Sequence, residues 1–269
     1  LIYDRIAVER IFTFLMCFFM RTLKLVLAYD GTGYKGFQKQ AEGLTVQQEL
    51  ETFLSRVCGE RIITVGSGRT DSGVHARYQV VSFTTEGRIA AESIVKAGRS
   101  LLPENIALLQ AQEVPAGFNA RKCACWKRYL YQIKYCQGRD PFTRNYYWQL
   151  DQKPEVRLLQ AAAEHLLGRH DFSGYQSSGS APVSPVKTIY EAKWQAEGDK
   201  LIFTISGDGF VYHMVRNLVW SMVQTGTGLW DEAAFARTLT LPRGGFENAP
   251  APAQGLYLDF VSYRPYPEV

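Results

Sequence analysis

Apolar positions along this chain follow two rhythms. One runs unbroken or alternates over a few residues, and the other returns every three to four. Residues 22–29, rich in Leu and Val, belong to the first and predict a strand. Asp30-Gly31-Thr32-Gly33 turns it, and the aromatic stretch 34–37 follows. The second rhythm starts at Thr45, where Thr45-Val46-Gln47-Gln48 has the spacing of a capping box. Val46, Leu50, Phe53, Leu54 and Val57 then recur on one helical face, and Gly59 stops the helix. Residues 61–65 and 79–84 return to strand character. A helix is expected over 90–101, Pro103 breaks it, and 106–110 reads as a strand.

Strand, helix, strand, strand, helix, strand is the order of a ferredoxin-like unit, here filling residues 22–114. Pro115 and Gly117 mark a boundary. Beyond it, 125–136 predicts a long strand with Tyr129, Tyr131, Ile133 and Tyr135 on one face. Arg128, Leu130, Gln132 and Lys134 take the other. Pro154 opens a helix to about Leu167, and 173–185, rich in Ser, Gly and Pro, reads as a loop. Strands are expected over 188–195 and 201–206.

The helix expected from Phe210 to about Thr225 is apolar almost all round and should be buried. Arg216 lies in its middle, and a buried guanidinium without a partner costs several kcal/mol. Arg216 therefore needs a carboxylate or a phosphate. A short helix from Asp231 and a strand over 255–261 complete a second half that repeats the first in outline. The predicted class is α+β, in two units covering 20–114 and 115–269.

Composition narrows this only a little. At 269 residues the chain can bury a sizeable core, and a net charge of +4 permits an RNA or phosphate partner without requiring one. Five cysteines, at 17, 58, 123, 125 and 136, form no C-x-x-C, and four histidines complete no zinc pattern. Reduced thiols, no structural metal and a cytoplasmic setting are expected. Residues 1–19 are foreign to the rest: a greasy run of ten follows a mixed-charge lead, against about 20 residues for a spanning helix. We expect a non-native leader preceding a start at Met20, and no membrane association.

Between strands 61–65 and 79–84 lies Gly66-Ser67-Gly68-Arg69-Thr70-Asp71-Ser72-Gly73-Val74-His75. Its glycines allow a partner to approach closely. In extended backbone, residues two apart face the same way, so Arg69 and Asp71 can share one space. A guanidinium beside a carboxylate favours the charged form, which suits a nucleophile or electrostatic stabiliser rather than a general acid. A glycine-rich turn closed by a surface ion pair fits the same residues equally well. Lys122, Lys127 and Arg128 make the start of the 125–136 strand basic, with Arg139 and Arg144 nearby. The 173–185 loop, by contrast, has no basic residue, and the next is Lys187.

Seven stretches in order resemble the tRNA pseudouridine synthase A family, over essentially all of 22–263. They are Tyr29-Asp30-Gly31 with residues 34–40; Thr45-Val46-Gln47; residues 68–75; Phe118-Asn119-Ala120-Arg121; Lys127-Arg128-Tyr129-Leu130-Tyr131; His213-Met214-Val215-Arg216-Asn217; and residues 252–258 around Leu256. The resemblance implies two ferredoxin-like (RRM-like) halves sharing one extended mixed sheet, with a cationic cleft between them. It implies a homodimer that needs no cofactor or metal and makes pseudouridine from uridines at positions 38 to 40, in the anticodon arm of tRNA. Asp71 matches the catalytic aspartate.

That chemistry breaks the N-glycosidic bond, turns the base and rejoins it through carbon. A carboxylate can attack the uracil ring or the ribose, or a base can take a ribose proton; the sequence leaves these open. The target must also leave its stack. The resemblance makes Asp71, Arg69, Tyr129 and Arg216 the candidate catalytic set, with Tyr129 stacking on the base and helping to remove the C5 proton. Phe118, Asn119, Arg121, Lys127, Arg128 and Leu256 join Tyr129 as candidate substrate contacts. His75 is expected to structure the loop. A non-catalytic RNA-binding module and an aspartate-dependent hydrolase are the rival readings.

Overall fold

The runs predicted as strands assemble into a single sheet. The computed structural model describes residues 20–179, 183–247 and 249–267. The predicted leader, 1–19, lies outside them. Along the chain run β1 (Arg21–Tyr29), α1 (Val46–Cys58), β2 (Val65–Gly66), β3 (His75–Thr85), α2 (Ala91–Leu101) and β4 (Ile106–Val114). The second half contributes β5 (Trp126–Tyr135), β6 (Trp148–Leu150), α3 (Val156–Glu164), β7 (Gly168–Asp171), β8 (Val186–Glu197), β9 (Lys200–Gly207), α4 (Met214–Gly226), α5 (Glu232–Thr238) and β10 (Leu256–Ser262).

The sheet order is β4-β1-β3-β10-β5-β9-β8-β7, with β2 added to β3 and β6 to β5. Burial follows position. β1 and β3, flanked on both edges, are buried almost throughout, whereas the edge strand β4 alternates buried and exposed at its start. The halves meet where β3 and β10 pair in parallel, with Tyr257 opposite His75 and Leu258 opposite Ala76. β10 then pairs antiparallel with β5, placing Leu258 opposite Tyr129. Ala76, just past the glycine-rich loop, and Tyr129 therefore lie in one row at the middle of the sheet. The helices of each half cover their own strands: α2 packs on β4, and α3 packs on α4 and β8.

α1 forms as its sequence requires. The Thr45 side chain accepts from Gln48 N at 3.3 Å, and Gly59 ends the helix in the left-handed region at φ 75°.

Two predicted elements differ. The strand expected over 61–65 is laddered only at Val65–Gly66. Ile62 and Thr64 give their amide hydrogens to Ser55 Oγ and Glu51 Oε1 of α1, at 2.9 Å each, instead of to a strand. The helix expected from Phe210 begins at Met214, because His213 takes the left-handed region at φ 63°. Among the described residues, no helix is long and apolar enough to cross a membrane.

Candidate active site

The loop between β2 and β3 is held by residues 30–37 beneath it. Tyr34 O accepts from Gly73 N at 3.3 Å and from Ser72 Oγ at 3.0 Å, and Phe37 N donates to Thr70 O at 3.1 Å. Tyr29 OH meets Thr70 Oγ1 at 2.7 Å. Gly36, at φ 88°, passes so close that a Cβ there would lie 2.7 Å from Thr70 O. His75, buried between Tyr257 and Tyr146, accepts from Gly31 N at 3.0 Å and faces Asn145 O across 2.9 Å. Burial lowers its pKa, against the opposing pull of Asp30. It braces the loop, as expected.

None of these bonds uses the Asp71 carboxylate. That group points across to the other half. Arg216 Nη1 donates to Asp71 Oδ2 at 3.0 Å, and His213 Nε2 lies 3.4 Å from the same oxygen. Arg216 is itself aimed by Nε donating to Ala251 O at 2.6 Å. The partner that burial demanded for Arg216 is therefore Asp71. The Arg69–Asp71 pairing expected from loop spacing does not form: Arg69 is exposed and makes no ion pair among the described residues. A turn follows at once, with Val74 N donating to Asp71 O at 3.1 Å.

His213 is a site residue that the sequence reading passed over. Burial lowers its pKa, Asp71 opposes this, and Arg216 adds to it. A neutral ring fits both contacts. Nε2–H faces Asp71, while Nδ1 accepts from Ser177 Oγ at 3.0 Å. The available signal was its spacing, three residues before Arg216 at the start of a buried helix.

Tyr129 is buried, with its ring edge-on to Phe210 at 5.0 Å. Burial chiefly, then Tyr29 and Asp71, raises its phenol pKa, so it stays protonated at neutral pH. A phenol held protonated in this way is not a ready proton acceptor. Lys127 shares its strand face. Burial first, then Arg121 and Lys187, lower the Lys127 pKa to about 8. Arg121 reaches back to Gly66 O, with Nε at 3.4 Å.

Other expected substrate contacts are occupied elsewhere. Arg128 points to the opposite face and bonds Asp259 at 2.7 Å. Asn119 Oδ1 caps a turn by accepting from Arg121 N and Lys122 N. Phe118 packs on Tyr263 at 5.0 Å, and Leu256 is buried opposite Tyr131. An open groove of about 1050 Å³, lined partly by Arg139, Arg144 and Trp148, passes Gly73 and Gln254 without reaching Asp71.

Residues 25–121 and 162–264 match the family model described as tRNA pseudouridine synthase. A tRNA pseudouridine synthase A of Lacticaseibacillus casei is 41% identical over 247 residues, 91% of this chain and all of that protein. Those of Thermoanaerobacter sp. and Moorella thermoacetica are 37% and 41% identical, again over 91% of this chain and their whole length.

Proposed function

The chain belongs to the tRNA pseudouridine synthase family, and from that premise we propose that it isomerises uridine to pseudouridine at positions 38 to 40 of the tRNA anticodon arm. In this reading Asp71 is the nucleophile. The observation carrying it is the Asp71 carboxylate itself, partly buried and held 3.0 Å from Arg216 of the opposite half, on a loop that does not depend on it. Arg216 holds the carboxylate in position, as nucleophilic attack requires.

The target uridine leaves its stack and lies against Tyr129. Asp71 attacks the base or the ribose, the N-glycosidic bond breaks, and the uracil turns. A C1′–C5 bond forms, the carboxylate is released, and the C5 proton is lost to water while N1 takes one up, so the net change is an isomerisation. Every atom of the product is present in the substrate, so the reaction needs no cofactor.

The same reading makes each half ferredoxin-like. The first half orders its strands β4-β1-β3-β2, and the second orders its corresponding strands β10-β5-β9-β8. Both are the fourth, first, third and second strands of their half. Between them Arg69, Arg121, Lys127 and Arg216 supply the positive charge of a cleft for RNA. The working form is a cytoplasmic homodimer.

The test is to incubate the purified chain with unmodified tRNA and map pseudouridine along it. Pseudouridine at 38, 39 or 40 and nowhere else is expected. Its absence from those positions, with folded protein, would overturn the proposal.

A further inference from the structure

Two lysine side chains end against two glycines of different loops. A Cβ on Gly68, in the catalytic loop, would stand 3.3 Å from Lys127 Nζ. One on Gly209, in the turn between β9 and α4, would stand 3.4 Å from Lys187 Nζ. Both glycines leave room for an ammonium group where a larger residue would fill it. Arg121 completes the set, bonded to Gly66 O at the start of the same loop.

Arg121 and Lys187 both press on Lys127, whose burial already disfavours its charge. Among the described residues no carboxylate forms an ion pair with any of the three. Arg77 and Arg128, by contrast, share Asp259, and Lys134 has Asp140. A solvated basic face would keep its charges apart and in water. Here Lys127 is half-buried, on the strand face it shares with Tyr129. Gathering like charges this way costs free energy until an anion enters.

The position identifies the anion. Gly66 and Gly68 begin the loop that carries Asp71. Gly209 precedes Phe210, whose ring meets Tyr129 edge-on at 5.0 Å. We propose that Arg121, Lys127 and Lys187 form one pocket, spanning both halves, that binds the phosphodiester flanking the nucleotide being isomerised. Lys187 becomes the first basic contact after the uncharged 173–185 loop, and Arg128 is no part of the pocket. Phosphate contacts of this kind fix the register of RNA without reading its sequence. The pocket would therefore set which uridine reaches Asp71.

The inference rests on the proposed function, and its test reads binding alone. Affinity is measured for Lys187→Met and for the unaltered protein, on tRNA carrying a single neutral methylphosphonate at successive linkages around the target uridine. On unmodified tRNA the substitution should weaken binding about tenfold, the size of one lost charged phosphate contact. At one linkage, the neutral phosphonate should weaken the unaltered protein equally, and Lys187→Met should then cost nothing more.

Lys127→Met should lose its effect at the same linkage, with a melting temperature unchanged or higher because a half-buried charge without an ion-pair partner among the described residues is gone. A Lys187→Met penalty that stays the same at every linkage, or no penalty at all, overturns the pocket. Pseudouridine mapping with the unaltered protein fails or succeeds independently, so loss of the proposed activity is not mistaken for loss of the pocket.

Discussion

Asp71 and Asp259 are each a partly buried aspartate with two basic side chains beside it. Asp71 has Arg216 at 3.0 Å and His213 at 3.4 Å; Asp259 has Arg128 at 2.7 Å and Arg77 at 3.6 Å. Burial does not tell them apart. Their surroundings do. Asp259 lies on β10 beside β5, and its arginines are laid over neighbouring rings: Arg128 over Phe260 and Arg77 over Tyr257. Its pair follows strand geometry that already exists. Asp71 stands on a loop fixed by Tyr29, Tyr34, Gly36 and Phe37, and its carboxylate reaches a helix of the other half. A carboxylate that the fold positions, but that does not position the fold, is available for chemistry.

The largest expected effect comes from Asp71→Asn, which keeps the shape and removes the charge and the attacking oxygen. Single-turnover rate should fall by about three orders of magnitude or more, with the melting temperature and tRNA affinity nearly unchanged. Robust turnover would remove the distinction between the two aspartates. Arg216→Met should come next. It leaves Asp71 in place without its guide, and activity per folded molecule should fall about a hundredfold. It also leaves Ala251 O without its donor, for about 1–3 kcal/mol of stability by denaturant titration. A variant with wild-type kinetics would reduce the Asp71–Arg216 pair to the standing of Asp259.

A smaller effect concerns Lys127. Its ammonium loses its proton near pH 8 in the free protein, and a bound phosphate would raise that pKa. Binding above that pH must therefore take up a proton, so tRNA affinity should fall as pH rises from about 7 to about 9. Lys127→Arg, protonated throughout, should flatten the profile. An equally steep decline in that variant would place the titration elsewhere. Smallest of all, Asp259→Asn should cost at most about 1 kcal/mol in melting experiments and leave turnover intact. A large loss of activity there would mean that the two clusters are both functional.

Local rules carried much of the fold. The Thr45 cap, the apolar face of α1 and the Gly59 stop are interactions within a few residues, so spacing was enough to specify them. Arg216 was also legible as a problem: an arginine in an apolar helix must meet an anion. The glycine-rich stretch around Asp71 stood out for the same reason, since several glycines in a short loop signal unusual backbone or close approach.

The identity of partners was not legible. Spacing offered Arg69 to Asp71, yet the carboxylate meets Arg216, 145 residues away in sequence. Arg128 looked as free as Lys127, but alternation along β5 set them on opposite faces, and only β10 supplied Asp259 to one of them. The contact of His213 with Asp71 could not be read locally, and the strand expected over 61–65 yielded its amides to α1. Periodicity and capping are decided by neighbours along the chain, so the sequence determined them by itself. Which charge meets which depends on the parallel joining of β3 to β10 and the placement of α4 over the loop. That arrangement exists only once distant segments pack.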